Sequence, residues 1–271
     1  APCTLWDLGS AHADGSSDFR PNNPPVRSCI VDGRIGREAR LEESLTANTA
    51  LIFCIGRELL EGLVLDRNAN FMASQVSEAG CHVRSIQVLD DEKSEMINAF
   101  RAALATKPSF IFTTGGMGPG HDDFTRECMA EAADVPLVQD KHAAEMLDKS
   151  YRRLHAKGII DNPEVNDVRL GMANVPEGSM CYENPIGTAP AVRLRVGDTL
   201  VFMLPGVPEE MQGMFRTHVL PAMKSEGPGT SKRAVHIEYP GRDESAISRL
   251  LADLVRRHTG VRSKARLQGS P

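Results

Sequence analysis

The residues best suited to chemistry form one run, Thr113-Thr-Gly-Gly-Met-Gly-Pro-Gly-His-Asp-Asp-Phe-Thr125. Gly115, Gly116 and Gly118 lack a Cβ, so a ligand can come close to the backbone there. A helix expected to start near Asp122 presents unpaired N–H groups and a partial positive charge at its first turn. Together these make an anion site suited to phosphate or pyrophosphate. The spacing matches neither the dinucleotide-binding fingerprint nor a Walker-type loop, since no Gly-Lys-Ser/Thr follows.

Asp122 and Asp123 bring a conflict into this loop. Two unit negative charges ~4 Å apart repel by about 4 kcal/mol at an effective dielectric of ~20. A divalent cation bridging carboxylate and phosphate resolves it. So does a carboxylate that turns away to accept hydrogen bonds from a base, a pterin or a ribose. One of the pair is expected to cap the helix and the other to serve the ligand, with the Thr125 hydroxyl supporting either role. His121 is either a base or a solvated loop residue.

Three other segments are rich in tight turns and acceptors: Gly56-Arg-Glu-Leu-Leu60 continuing to Asp66-Arg-Asn68, Asn184-Pro-Ile-Gly-Thr-Ala-Pro190, and Leu204-Pro-Gly-Val-Pro-Glu-Glu-Met211. Each alone reads as a plain connection; on one rim they read as a site.

The surrounding pattern predicts how such a rim arises. Thr49–Ile55 and Ser109–Thr114 are short apolar runs, each followed by glycine, as buried parallel strands are. His82–Leu89, Ala191–Val196 and Thr199–Leu204 also read as strands, the last two joined by a Gly197-Asp198 hairpin turn. Helical spacing covers 66–79, 91–106, 141–157, 163–173 and 209–224, and a further strand and helix are expected at 234–239 and 244–258. Alternating strands and helices imply an α/β fold with a mostly parallel sheet covered on both faces. Ligands in such sheets sit beyond the carboxyl ends of the strands, so the loops at Gly56, Gly115 and Pro205 should share one rim. Met203, Met211 and Met214 fall at core or interface spacing.

Composition bounds the partners. The 271 residues are 41% hydrophobic and 25% charged, with net charge −5 and an isoelectric point near 5.9. No basic stripe suggests nucleic-acid binding, and no run approaches the ~18 apolar residues of a membrane span. The six cysteines show no zinc spacing and read as free thiols, consistent with a cytoplasmic protein. Residues 1–47 read as a poorly ordered leader, 48–260 as the folded domain and 261–271 as a tail. The chain does not begin with Met, so upstream residues are expected to be missing.

The ordered motifs Gly-x-Glu-Leu-Leu, Gly-x-x-x-Asp-x-Asn, Thr-Gly-Gly-x-Gly-Pro-x-x-Asp-Asp-x-Thr, Asn-Pro-x-Gly-Thr-Ala-Pro and Leu-Pro-Gly-x-Pro-x-Glu-Met resemble the MoaB/Mog-like molybdopterin-binding domain. The closest branch is the N-terminal domain of CinA. The resemblance runs from about Thr49 to Arg216 and implies a three-layer α/β/α fold. It implies a site of Gly115, Gly116, Gly118, Asp122, Asp123 and Thr125, with Pro119 in the same motif. Around it stand Glu58, Asp66, Asn68, Asn184, Gly187, Thr188, Gly206 and Glu209.

Relatives bind molybdopterin and adenylate it or, in the CinA branch, cleave ADP-ribose with a divalent metal. The resemblance therefore implies Mg, Mn or Co held by Asp122 and Asp123, a nucleotide or pterin ligand with molybdopterin among the candidates, and a homo-dimer or trimer. Three activities follow as expectations: an ADP-ribose-type pyrophosphatase, a molybdopterin adenylyltransferase, or a binding module without turnover. The family often has Thr at the positions of Gly120 and Arg57. The chain ends without the amidase-like domain of full-length CinA, so deamidation of nicotinamide mononucleotide is not expected.

Overall fold

A computed structural model describes residues 49–226 and scattered helical positions at 248, 251, 252 and 255–257. The expected leader, the strand at 234–239, most of the helix at 244–258 and the tail at 261–271 lie outside the described residues.

The order is β1 (Thr49–Ile55), α1 (Arg57–Leu60), α2 (Arg67–Glu78), β2 (His82–Leu89), α3 (Lys93–Ala105), β3 (Phe110–Thr114), α4 (Thr125–Ala132), β4 (Leu137–Gln139), α5 (Lys141–Ala156) and α6 (Asp167–Leu170). A 3-10 turn at Gly171–Ala173 follows, then β5 (Asn174–Pro176), β6 (Met180–Tyr182), β7 (Ala191–Val196), β8 (Thr199–Leu204) and α7 (Pro208–Met214). A π-helical turn at Phe215–Val219 joins α7 to α8 (Leu220–Glu226).

Six strands form one sheet in the order β2-β1-β3-β8-β7-β6. The pairs β1–β2, β1–β3 and β3–β8 are parallel; β7 runs antiparallel to β8, and β6 to β7. The β7–β8 pairing closes at Val196 opposite Thr199, so Gly197-Asp198 is the expected hairpin turn. β4 and β5 form a separate antiparallel pair.

The two-residue repeat of the strands sends alternate side chains into two cores. Leu51, Phe53, Ile55, Ile111, Val201 and Met203 face one side, against Met96 and Phe100 of α3, Met129 of α4 and Leu147 of α5. Ala50, Ile52, Cys54, Phe112, Phe202 and Leu204 face the other, against Met72 and Val76 of α2 and Met211, Met214 and Phe215. The result is the expected three layers, with Met203, Met211 and Met214 buried.

Two expectations need correction. The helix expected at 163–173 is one α-helical turn at Asp167–Leu170 plus the 3-10 turn, preceded by irregular chain around Pro163. The helix after the glycine loop begins at Thr125, not near Asp122, and its N-cap residue Phe124 makes no side-chain capping bond. Neither aspartate caps it; by contrast Asp66 caps α2, accepting from Ala69 N at 2.8 Å.

Candidate functional site

The turn after β3 is built from the backbone outwards. Gly115 and Gly116 have φ of +99° and +60°, a region favouring glycine. A Cβ on Gly115 would lie 2.2 Å from the Ile55 carbonyl oxygen, so β1 and the loop could not approach as they do. One on Gly116 would lie 2.4 Å from the Thr125 hydroxyl oxygen.

The first two residues of α4 then hold four consecutive loop carbonyls. Thr125 Oγ1 donates to Gly115 O at 2.8 Å. Thr125 N donates to Gly116 O at 3.1 Å. Arg126 Nη1 donates to Met117 O, and Nη2 to Gly118 O at 3.3 Å. These bonds commit the carbonyls of Gly115, Gly116, Met117 and Gly118 to the start of α4. Thr125 and Arg126 are both buried. Burial brings the Arg126 guanidinium down to about 10, while the charge of Asp123 opposes that shift.

The two aspartates have different surroundings. Asp123 Oδ2 accepts from Gly120 N at 2.7 Å and closes the loop on itself. Asp122 is exposed. His121, almost fully exposed, lies 3.8 Å from Asp122 Oδ1 through Nδ1. A Cβ on Gly120 would meet Asp122 Oδ1 and Asp123 Oδ2, each at 2.6 Å.

The loops after β1 and β8 flank this turn as expected. Gly115 N donates to Leu204 O at 3.2 Å, and a Cβ on Gly206 would lie 3.3 Å from Gly115 Cα. Buried Asn68 ties both sides together. Its Nδ2 donates to Gly206 O at 2.7 Å and to Thr114 Oγ1 at 3.0 Å; that hydroxyl donates on to Pro205 O at 2.7 Å. Two acceptors at Nδ2 orient the amide unambiguously.

These loops enclose a cavity of about 530 Å³, within the roughly 300–1,000 Å³ of small-molecule sites. Of the sequence-predicted residues, Glu58, Asp66, Asn68, Gly115, Gly116, Gly118, Asp122, Asp123, Thr188 and Gly206 line it. Thr125 lies behind the loop with its hydroxyl committed to Gly115 O. Asn184 supports a neighbouring turn: its Oδ1 accepts from Gly187 N at 2.8 Å, and Nδ2 donates to Glu210 Oε2 at 2.6 Å. Pro119 and Glu209 are exposed and outside the lining; Gly187 is half-buried and also outside it.

Three functional candidates were missed by sequence reasoning. Glu210, not Glu209, is the acidic residue of its motif that lines the cavity, and it is the Glu of the spacing Leu-Pro-Gly-x-Pro-x-Glu-Met. Burial pushes its carboxyl up, Asn184 opposes this, and Glu209 adds to it. Asp91, after β2, also lines the cavity. Burial raises its carboxyl, a bond from Arg57 N opposes that, and the charges of Glu58, Asp122 and Asp90 reinforce it. Arg126 is the third, and the hydrogen-bonding sense of a helix-start arginine is invisible without coordinates. Arg57 contacts Asp90 through Nε at 3.0 Å.

Among the described residues, no group of three or more His, Cys, Asp or Glu side chains is arranged to hold a metal ion. Glu58, Asp91 and Asp122 line the cavity without forming such a group. Mg²⁺ commonly takes only one or two carboxylates and fills its sphere with water and substrate phosphate. Cys54, Cys81, Cys128 and Cys181 are buried and form no disulfide, and no described helix is long and apolar enough to cross a membrane.

Comparison with known proteins identifies the family. Residues 51–225 match a family described as a probable molybdopterin binding domain. A Pyrococcus horikoshii protein is 35% identical over 222 residues, covering 82% of this chain and 84% of that protein. A CinA-like protein of Myxococcus xanthus is 37% identical over 64% of this chain, which spans only 39% of that longer protein. The crystal structure of CinA from Thermoplasma acidophilum, a protein of unknown function, superposes with a TM-score of 0.58 at 32% identity, covering 67% of this chain and 98% of that one. The chain therefore belongs to the CinA-like group of the molybdopterin-binding domain family.

Proposed function

We propose that this protein binds a phosphorylated nucleotide in the glycine-loop cavity and hydrolyses the phosphoanhydride of an ADP-ribose-type substrate with the aid of a divalent metal ion. The supporting observation is a loop whose four carbonyls are tied down on one side, beside a cavity lined by the carboxylates of Glu58, Asp91 and Asp122.

The chain's own residues divide the work. The N–H edge of Gly116–Gly118 receives phosphate oxygens. Arg126 and Thr125 hold that edge in place from behind. Asp122, with Asp91 beside it, supplies hard oxygen ligands; Asp123 keeps the loop closed. A divalent cation bound there offsets phosphate charge and lowers the pKa of a bound water.

Asp122→Ala and Asp123→Ala test the division. Each is incubated with ADP-ribose and Mg²⁺, Mn²⁺ or Co²⁺, and AMP is measured. Metal-dependent AMP release by the parent chain, lost in Asp122→Ala and weakened in Asp123→Ala, is expected. Unchanged release in both overturns the carboxylate assignment; no release by the parent overturns the hydrolase reading.

The family description favours molybdopterin as a second ligand, bound for adenylation or without turnover. Displacement of AMP by molybdopterin tests it. Self-association as a dimer or trimer and residence in the cytoplasm belong to the same proposal. Exposed Leu137 and Val138 on β4 offer apolar surface for self-association, checked by light scattering.

A further inference from the structure

The turn between β6 and β7 is separate from the glycine loop, yet it brings Thr188 and Ala189 into the cavity wall. Asn184 holds it from within. Its Oδ1 accepts from Ile186 N at 3.1 Å and from Gly187 N at 2.8 Å. Its Nδ2 donates to Ala189 O at 3.0 Å and to Glu210 Oε2 at 2.6 Å. The buried amide thereby uses both its donors and both its acceptor sites. A Cβ on Gly187 would overlap the Glu210 carboxyl, so that group lies directly against the turn's backbone.

The same turn is held from outside by α5. Arg153 Nη2 donates to Asn184 O at 2.8 Å and to Gly187 O at 2.9 Å, while Nη1 meets Glu183 Oε1 at 3.3 Å. Its buried Nε makes no bond among the described residues, so the terminal nitrogens alone make the grip. Arg153 does not line the cavity. Lys149, one turn earlier on α5, meets Glu183 at Oε2, 2.6 Å away, but holds neither of those carbonyls.

We infer that Arg153 is a positioning residue for the cavity: from α5 it fixes the turn at 184–189, and the fixed turn sets Thr188 and the Glu210 carboxyl in the cavity wall. Thr188 sits between two residues whose carbonyls are both held, Gly187 by Arg153 and Ala189 by Asn184. Without a donor at position 153 the turn regains backbone freedom, and ligand binding must then meet the cost of ordering it. That consequence for binding rests on the nucleotide reading above; the placing of the two groups does not.

Two measurements test the inference, and the first needs no ligand. In the parent chain the Asn184 side-chain amide, with both protons bonded, should give two well-separated, slowly exchanging NMR signals. In Arg153→Met, which fills the space but donates nothing, they should move towards the free-amide position. A role in stability alone would leave them where the parent has them, since the folded protein is what is observed. In the second measurement AMP with Mg²⁺ is titrated calorimetrically into the same proteins. Affinity should fall by about tenfold in Arg153→Met and Arg153→Ala, the scale of ordering one residue. N-ethylguanidinium should restore most of the loss in Arg153→Ala, and ethylammonium should not. Lys149→Ala should leave the amide signals in place and the affinity within about twofold. Unmoved amide signals in Arg153→Met overturn the inference, as do moved signals with unchanged AMP affinity. An equal effect of Lys149→Ala assigns the hold to the Glu183 ion pairs and overturns it too. Absence of AMP binding by the parent overturns the nucleotide reading, and the amide signals then decide the role of Arg153 by themselves.

Discussion

Asn68 Nδ2 donates to the carbonyl oxygen of Gly206 at 2.7 Å, joining two residues 138 positions apart. That bond links the start of α2 to the turn after β8. The same nitrogen reaches Thr114 Oγ1, so one amide joins the start of α2 to the end of β3 and the turn after β8.

Replacing Asn68 by Ala removes both bonds and leaves buried acceptors without a donor. Stability should fall by about 1–3 kcal/mol, read as a lower urea midpoint at unchanged slope. Asn68→Asp should cost more, because a carboxylate meets the Gly206 carbonyl where an amide donor was.

Arg126→Met should free the carbonyls of Met117 and Gly118 while filling most of the space. A loss of about 1–3 kcal/mol is expected from their lost partners. AMP affinity should fall as well, since the loop's N–H edge is no longer held. Arg126→Lys keeps the charge but cannot span both carbonyls, so calorimetry should place its AMP affinity between the parent and Arg126→Met.

Gly120→Thr introduces the residue that the family resemblance leads one to expect there. Its Cβ would collide only with the carboxylate ends of Asp122 and Asp123. The thermal midpoint should therefore move little, within the roughly ±0.5 kcal/mol of an exposed substitution. The metal requirement of AMP release should change clearly, because both carboxylates must move.

Glu210 gives a pH signature. Its carboxyl is raised in the folded state, so the native protein holds more protons than the unfolded chain between the two values. Stability from this group is fully present below the unfolded value and is lost as pH rises through the folded one. Asp91 acts in the same direction. Glu210→Gln keeps an oxygen for Asn184 Nδ2 and removes the charge. As pH rises above the ordinary glutamate value, the parent should lose stability relative to Glu210→Gln, measured by paired thermal melts. Equal slopes would remove Glu210 from the linkage.

The strands that build the rim were readable because they are short, apolar and punctuated by glycine: β1 and β3 fall where their runs predict. Gly197-Asp198 was readable because a two-residue turn has few solutions. The three-residue strands β4, β5 and β6 carry too few positions to show a period, and pairing decides them. The start of α4 was misplaced because an Asp-Asp pair looks like a cap; Asp123 instead spends its oxygen on Gly120 N. Asp91 was missed because it lies in the loop after β2, outside every glycine-rich segment. Glu209 was preferred to Glu210 though they are adjacent, and only helix rotation separates the exposed side chain from the lining one.

The strand order has a consequence for how the protein is made. The last wall of the cavity comes from β8, which sits between β3 and β7 and whose residues are translated after nearly all the rest of the sheet. A nascent chain stopping before Thr199 carries the glycine loop and Thr114 but lacks the Gly206 carbonyl that Asn68 also holds. Ligand can then act as a late quality signal: it rewards only chains whose central strand has been inserted, and at 100 times its dissociation constant it would add about 2.7 kcal/mol to them alone.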